Sequence, residues 1–405
     1  MVDFFSELFT SAILVEGDPA YLSYLLVFVA LSLLIGWPLR RSWPECFLFG
    51  FLFINAGANL SLFLFRALSL DISWLGYCAL GTALILAIST RLWIAPPQES
   101  GRLFDIPHFL GFSVLAASIW FTQILIPEPS AGLTAHQPWY PLYIDYSFDI
   151  GRFAVESDLA FAPGILSGLL LNVDLIGLVA LGRWLDLGQT YAAFLAGAIC
   201  AGLAATALLA WSFRGRPLIL LIFMVLFLAL LRWEGEFRLF VGYNWGDVLV
   251  YTSGAGVLFY LGRARQDLQA LALMSLAAIF LPFGRSYGVG YAGLLCLLAM
   301  IASYRGDGRL EVRVWLSLFI MGSVFSAREL WLLIFVPSPY YSVTQWLSGF
   351  PSLTSWLYDI GIDLSANRTN IQKLVFAMAP ISLVLALLGY RHRLFKDRAL
   401  IWLLF

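Results

Sequence analysis

The chain has 405 residues, of which 61% are hydrophobic and only 12% are charged. Soluble domains carry about 25% charged residues because their surface must be hydrated. With so few charges the chain cannot cover itself with polar groups, which excludes soluble, disordered and nucleic-acid-binding proteins. The composition predicts an all-α, polytopic integral membrane protein in contact with membrane lipids.

The long apolar segments are candidate transmembrane helices, because a spanning helix needs about 20 mostly apolar residues. About 11 transmembrane helices are predicted, within a range of 10 to 12, and together they form a single membrane domain over 1–405. They fall near 20–38, 46–66, 72–90, 108–127, 189–211, 217–232, 247–262, 268–283, 289–304, 314–335 and 372–390. Segment 163–183 is ambiguous, because Asn172 and Asp174 interrupt it and Arg183 ends it.

Arginine clusters predict the orientation, since basic residues collect on the cytoplasmic side. The basic loops share one side only if segment 163–183 does not fully cross, so this segment is predicted to be interfacial or re-entrant. The N-terminus is then outside and the C-terminus cytoplasmic, in a bacterial inner membrane. The predicted cytoplasmic parts are 40–45, 91–107, 212–217, 263–268, 304–313 and the tail.

Acidic residues gather on the predicted outer side. The outer parts hold 18 acidic and 9 basic residues, whereas the cytoplasmic parts hold 7 acidic and 15 basic. Orientation explains the basic excess inside but not the acidic excess outside, because acidic residues contribute little to topology. Many of these carboxylates lie in two long outer segments, 128–188 and 336–371, which we predict to form the substrate-facing side with interfacial helices.

The first outer segment carries a run of charges behind an aromatic group. If it is helical, Asp145, Asp149, Arg152 and Glu156 share one face, and Tyr143 lies just ahead of them. One interpretation is a surface helix that its aromatic residues anchor among lipid headgroups. The other is a carboxylate that takes a proton from a hydroxyl, beside aromatic rings that stack on a sugar.

The order of elements continues through Pro163 and Gly164, a leucine-rich helix, Leu187 and Gly188, and a span rich in small residues. In this order, residues 108–216 resemble the GT-C superfamily of integral-membrane glycosyltransferases. The resemblance implies a polyprenyl-phosphate sugar as donor, which enters from the bilayer, and a glycan or lipid acceptor on the extracytoplasmic side. No nucleotide sugar would be needed.

Candidate roles follow from this interpretation. Asp149 is the preferred catalytic base, because Arg152 lies one turn away and could orient it, and Asp145 is the second candidate. Substrate-binding roles are predicted for Tyr143, Arg152, Glu156, Asp247, Arg285, Arg328 and Glu329. Among these, a charge in an apolar span such as Arg328 needs a cavity, a partner or snorkelling to the interface. No cofactor is predicted, and no metal-ligand cluster is visible in the sequence.

Three other functions remain open. An envelope polysaccharide polymerase or ligase of the O-antigen type also has about a dozen spans, but such enzymes tend to use arginine-rich outer loops. A transporter would have inverted repeats and broken helices near the bilayer centre. The third alternative is a non-catalytic membrane subunit, since no motif here is diagnostic of catalysis.

Overall fold

A computed structural model describes residues 20–94, 106, 108, 109, 113, 139–154, 176–188, 190–212, 252–257, 259, 260, 268–278 and 280. All of them belong to one compact unit, Met1–Met321. Within these residues the longer elements are helices and there is no strand. The helices are α1 (Ala20–Gly36), α2 (Trp43–Ala67), α3 (Leu75–Trp93), α4 (Trp139–Asp149), α5 (Ile176–Leu185), α6 (Thr190–Trp211) and α7 (Leu268–Ala278).

Four helical segments are long and apolar enough to cross a membrane. They are Leu22–Leu39, Trp43–Ala67, Ile72–Trp93 and Ala192–Trp211. These segments confirm the predicted spans near 20–38, 46–66, 72–90 and 189–211. The other predicted spans lie wholly or partly outside the described residues, so the total of about 11 stays a prediction.

The four segments differ in how much of their surface is buried: two lie in the interior of the bundle and two lie at its surface. The segments of α2 and α6 are 72% and 94% buried, whereas those of α1 and α3 are only 33% buried. The exposed residues of α1 and α3 include Leu26, Leu34, Ile85 and Leu92. An apolar surface of this extent needs an apolar environment. The described helices therefore form a bundle with α2 and α6 inside and with exposed apolar surface on α1 and α3.

A tight turn joins α2 to α3. The chain leaves α2 through a Schellman motif, in which the Leu70 amide donates to the Phe65 carbonyl at 2.9 Å and Ser69 has a positive φ of 49°. Asp71 then caps the 3-10 helix Ile72–Trp74 by accepting from the Ser73 amide at 2.9 Å. This hydrogen bond lowers the pKa of the Asp71 carboxyl. The short connection makes α2 and α3 antiparallel neighbours.

Several contacts meet at one end of the bundle, which we call the Arg41 end. Arg41 Nη2 donates to Gln269 Oε1 at 3.0 Å, which joins the start of α2 to α7. The His108 ring lies between Trp43 and Trp211, with ring centroids 5.4 and 4.8 Å away. These residues flank four of the loops predicted to be cytoplasmic: 40–45, 91–107, 212–217 and 263–268. The contacts thus agree with the predicted common side of these loops.

The opposite end, which we call the Asp145 end, gathers the predicted outer connections. The Ile72 amide donates to the Gly151 carbonyl at 3.0 Å, and Trp184 Nε1 donates to the Ser73 carbonyl at 2.8 Å. The α2–α3 turn therefore contacts the chain on both sides of segment 163–183. Both flanks of that segment lie at the same end, as expected if it makes no full crossing. Residues 163–175 lie outside the described residues.

The two ends can be tested by labelling in sealed membrane vesicles. Single cysteines at Arg40 and Ser212 should react with a membrane-impermeant maleimide from one side, because both exposed residues flank the Arg41 end. Cysteines at Leu70 and Asp149 should react from the other side. Cys78 is exposed and must first be replaced by serine. Labelling of positions 40 and 70 from the same side would overturn the arrangement of α2.

Candidate functional site

Three helices bring four polar side chains together at the Asp145 end. Asp145 Oδ1 is 3.0 Å from Arg183 Nε and accepts a short hydrogen bond from Thr190 Oγ1. On its other edge, Arg183 Nη1 donates to Asp186 Oδ1 at 3.0 Å. We call these four residues the Asp145 cluster. It joins α4 to the last turn of α5 and to the first residue of α6.

The exposure of the cluster suits it to a ligand from outside the bundle. The side chain of Asp145 is 44% exposed and that of Arg183 is 29% exposed. The partners of Asp145 both bind Oδ1, and no described residue donates to Oδ2. The guanidinium carbon of Arg183 lies 5.4 Å from the centre of the Phe148 ring, which covers part of its face. Within the described residues, the second carboxylate oxygen of Asp145 is therefore left for a hydroxyl donor.

The turn between α5 and α6 has a defined backbone. Asp186 has a positive φ of 51° and Gly188 one of 151°. A non-glycine residue adopts such an angle only where its surroundings hold it. Here the Asp186 amide donates to the Arg183 carbonyl at 3.2 Å, and Tyr24 Oη donates to the Gly188 carbonyl at 3.0 Å. Helix α1 thus fixes the turn that carries Asp186 into the cluster.

Helix α5 is anchored at both of its ends. Near its start, the Gly177 amide donates to Asn59 Oδ1 at 3.0 Å, and Asn59 is buried within α2. Near its end, the Trp184 indole binds the α2–α3 turn, as described above. Ten helical residues span about 15 Å, so α5 covers about half of a bilayer core. Arg183 is held at the Asp145 end by this placement.

Helix α4 ends sooner than the sequence pattern suggested. The Arg152 amide donates to the Ser147 carbonyl and the Gly151 amide to the Phe148 carbonyl, which is the Schellman motif, with Gly151 at a φ of 72°. The helix therefore stops at Asp149 and the chain turns back. The expectation of one helical face that includes Arg152 is wrong, because Arg152 lies beyond the reversal.

Tyr143 packs against the segment that turns back after α4. Its side chain is buried, and its hydroxyl donates to the Ala154 carbonyl at 3.1 Å. The Ala154 amide in turn donates to Ser147 Oγ at 3.1 Å. These bonds hold residues 152–154 against α4. The predicted stacking of a sugar on Tyr143 stays a prediction, and any such contact must occur beside a hydroxyl that is already bonded to the backbone.

The two candidate bases lie in different surroundings. Asp149 is the exposed last residue of α4, whereas Asp145 is held by Arg183 and Thr190. Of these two candidate bases, Asp145 is therefore the one whose carboxylate is held by side chains of neighbouring helices. The remaining predicted substrate-binding residues lie outside the described residues: Glu156, Asp247, Arg285, Arg328 and Glu329.

Sequence reasoning did not assign Arg183, Asp186 or Thr190 to the site. Of these three residues, only Arg183 was used in the sequence analysis, as the end of the ambiguous segment 163–183. One signal was available, because a charged residue at the end of an apolar segment usually has a partner. The sequence separation of 38 residues between Asp145 and Arg183 concealed which partner it was.

The described residues contain no group of three or more histidine, cysteine or acidic side chains that could hold a metal ion. Comparison with known proteins finds no matching family model, no matching characterised protein and no matching solved structure. The described part of the chain thus defines an all-helical protein with four candidate membrane spans and a polar cluster at one end of its helix bundle.

Proposed function

We propose that the protein is a membrane glycosyltransferase that transfers a sugar from a polyprenyl-phosphate donor to a glycan or lipid acceptor. The observation that carries the proposal is Asp145, a half-exposed carboxylate that two neighbouring helices hold in place at one end of a membrane bundle. The resemblance of residues 108–216 to GT-C enzymes supports the same reaction. The Asp145 cluster lies within that stretch of the chain.

In this proposal the Asp145 end faces the outside of a bacterial inner membrane. The positive-inside distribution of arginine supports this orientation, since the loops that flank the Arg41 end are the basic ones. The donor then reaches the cluster along the bilayer, while the acceptor arrives from the outer solution.

Asp145 acts as the general base of the transfer. Its Oδ2 takes the proton of the acceptor hydroxyl, and the hydroxyl oxygen bonds to the anomeric carbon of the sugar. The bond between that carbon and the donor phosphate breaks, and the phosphate departs with the electron pair. The anomeric configuration is thereby inverted. Arg285 and Arg328 remain our proposed contacts for the departing phosphate.

We prefer Asp145 to Asp149 for a geometric reason. A general base must be held within hydrogen-bond reach of the proton that it takes. Asp145 has two side-chain partners that limit its rotation, whereas Asp149 is an exposed residue at a helix end. The sequence-based preference for Asp149 depended on Arg152, which the end of α4 has removed from the shared helical face.

The test compares two matched substitutions. Asp145→Asn should lower turnover of a polyprenyl-phosphate sugar by about 10²–10⁴-fold, the usual contribution of a positioned base. The amide oxygen can still accept from Thr190, so the variant should fold. Asp149→Asn, four residues along the same helix, should stay within about threefold of the wild type. Full turnover by the Asp145 variant would remove this residue from the chemistry.

A further inference from the structure

We propose that Arg183 is a positioning residue that holds the carboxylate of Asp145 in its working orientation. Asp186 fixes the guanidinium from the opposite side. This inference rests on the proposed function of Asp145 as the base. It adds a specific role for the α5–α6 turn, a part of the chain that the chemistry itself does not touch.

The guanidinium of Arg183 binds two carboxylates at two different edges. Arg183 uses Nε for Asp145 and Nη1 for Asp186, and both distances are 3.0 Å. A planar guanidinium presents its donors in fixed directions, so a bond at one edge orients the other edge. A lysine ammonium is a single point charge on a flexible stem and provides no such fixed pair of edges.

The backbone of Asp186, which carries the second carboxylate, is held in a defined conformation. Asp186 follows Arg183 by three residues and has a left-handed backbone, and the turn is tied to α1 through Tyr24. The Phe148 ring lies 5.4 Å from the guanidinium carbon and belongs to the same helix as Asp145. Arg183 is thus restrained from the turn on one side and from α4 on the other.

Exposure decides what Arg183 contributes. Its side chain is 29% exposed and that of Asp186 is 79% exposed, and solvent-exposed ion pairs of this kind add little to folding stability. The arrangement therefore matters more for orientation than for stability. Loss of Arg183 should leave the fold intact, but it removes a link between α4 and the α5–α6 turn, so Asp145 should sample more positions relative to that turn.

A double-mutant cycle tests this role through activity. Arg183→Gln should lower kcat about 10–100-fold and leave KM within about threefold. Arg183→Lys should recover less than a tenth of the lost kcat, because a lysine ammonium lacks the two guanidinium edges that bind Asp145 and Asp186. In an Asp145→Asn background, Arg183→Gln should have no further effect on kcat, since a positioning residue acts only through the group that it positions. Arg91→Gln is the matched control, because Arg91 bonds the Ile94 carbonyl at the far end of α3.

The outcomes separate the two proposals. If Asp145→Asn lowers turnover as expected but Arg183→Gln lowers the residual kcat of that variant by the same factor as in the wild type, Arg183 acts independently and the positioning role is overturned. If Asp145→Asn is fully active, the proposed base is wrong. A measurement without substrate completes the test: spin labels at positions 149 and 187, with native cysteines replaced, report the distance between α4 and the turn. Arg183→Gln should widen that distribution at least twofold and Arg91→Gln should not. An unchanged width in Arg183→Gln would overturn the positioning role at any activity.

Discussion

Replacement of Gly50 by alanine is expected to destabilise the helix bundle strongly. A Cβ atom at Gly50 would lie 1.7 Å from the Ser32 carbonyl oxygen and 2.8 Å from the Gly36 amide nitrogen. Both atoms belong to the backbone of α1, so no side-chain rotation relieves the overlap. Overpacking typically costs 1–3 kcal/mol, and we expect roughly 3 kcal/mol or more here.

The matched control is Gly81→Ala in α3. A Cβ atom there would have no neighbour within 4 Å among the described residues, so the added methyl group overlaps none of them. Alanine is favoured over glycine in a helix by about 1 kcal/mol, and this variant should be as stable as the wild type or more so. Unfolding of the detergent-solubilised proteins measures both. Equal stability of Gly50→Ala and wild type would contradict the close packing of α1 on α2.

The second large effect is expected at Glu45, the buried carboxylate near the start of α2. Its Oε1 accepts from Tyr260 Oη and lies 3.6 Å from Arg41 Nη1, and its Oε2 accepts from the Ser42 amide and hydroxyl. Loss of one partner of a buried pair costs about 3–5 kcal/mol. We expect the lower end, about 3 kcal/mol, for Glu45→Ala, because Arg41 keeps its bond to Gln269.

Glu45→Gln separates the charge from the hydrogen bonds. The glutamine oxygen can still accept from Tyr260 while the negative charge opposite Arg41 is lost. A smaller loss of about 1.5–2 kcal/mol is therefore expected, at the lower end of the range for hydrogen bonds to charged groups. The same unfolding measurement applies. A Glu45→Ala protein as stable as the wild type would show that this network does not join α2 to the helices around Tyr260 and α7.

The bundle was the part most accessible to prediction. Hydropathy over about 20 residues locates spanning helices, because every backbone polar group in a bilayer core must be satisfied within its own segment. The spans that became α1, α2, α3 and α6 were found in this way. Arginine positions predict the side of each loop, and the contacts at the Arg41 end bring residues that flank four of these loops together. Helix periodicity alone could not tell which faces meet lipid.

The candidate site was only half predictable. A local pattern of aromatic and acidic residues singled out Asp145 and Asp149 and ranked Asp149 first, because the partners that hold Asp145 lie far along the chain. Arg183 and Thr190 follow Asp145 by 38 and 45 residues. The end of α4 was a missed local signal: Gly151, two residues after Asp149, is the usual residue of a helix C-terminal cap.

One measurement tests the central claim, which is that this membrane bundle transfers sugar from a lipid-linked donor. Purified wild-type protein in proteoliposomes receives a polyprenyl-phosphate sugar and a hydroxyl acceptor, and free polyprenyl phosphate is quantified together with the glycosylated acceptor. The account predicts that the two products appear in equal amounts and that nucleotide sugars are not consumed. Absence of both products, or consumption of a nucleotide sugar in place of the lipid-linked donor, would contradict it.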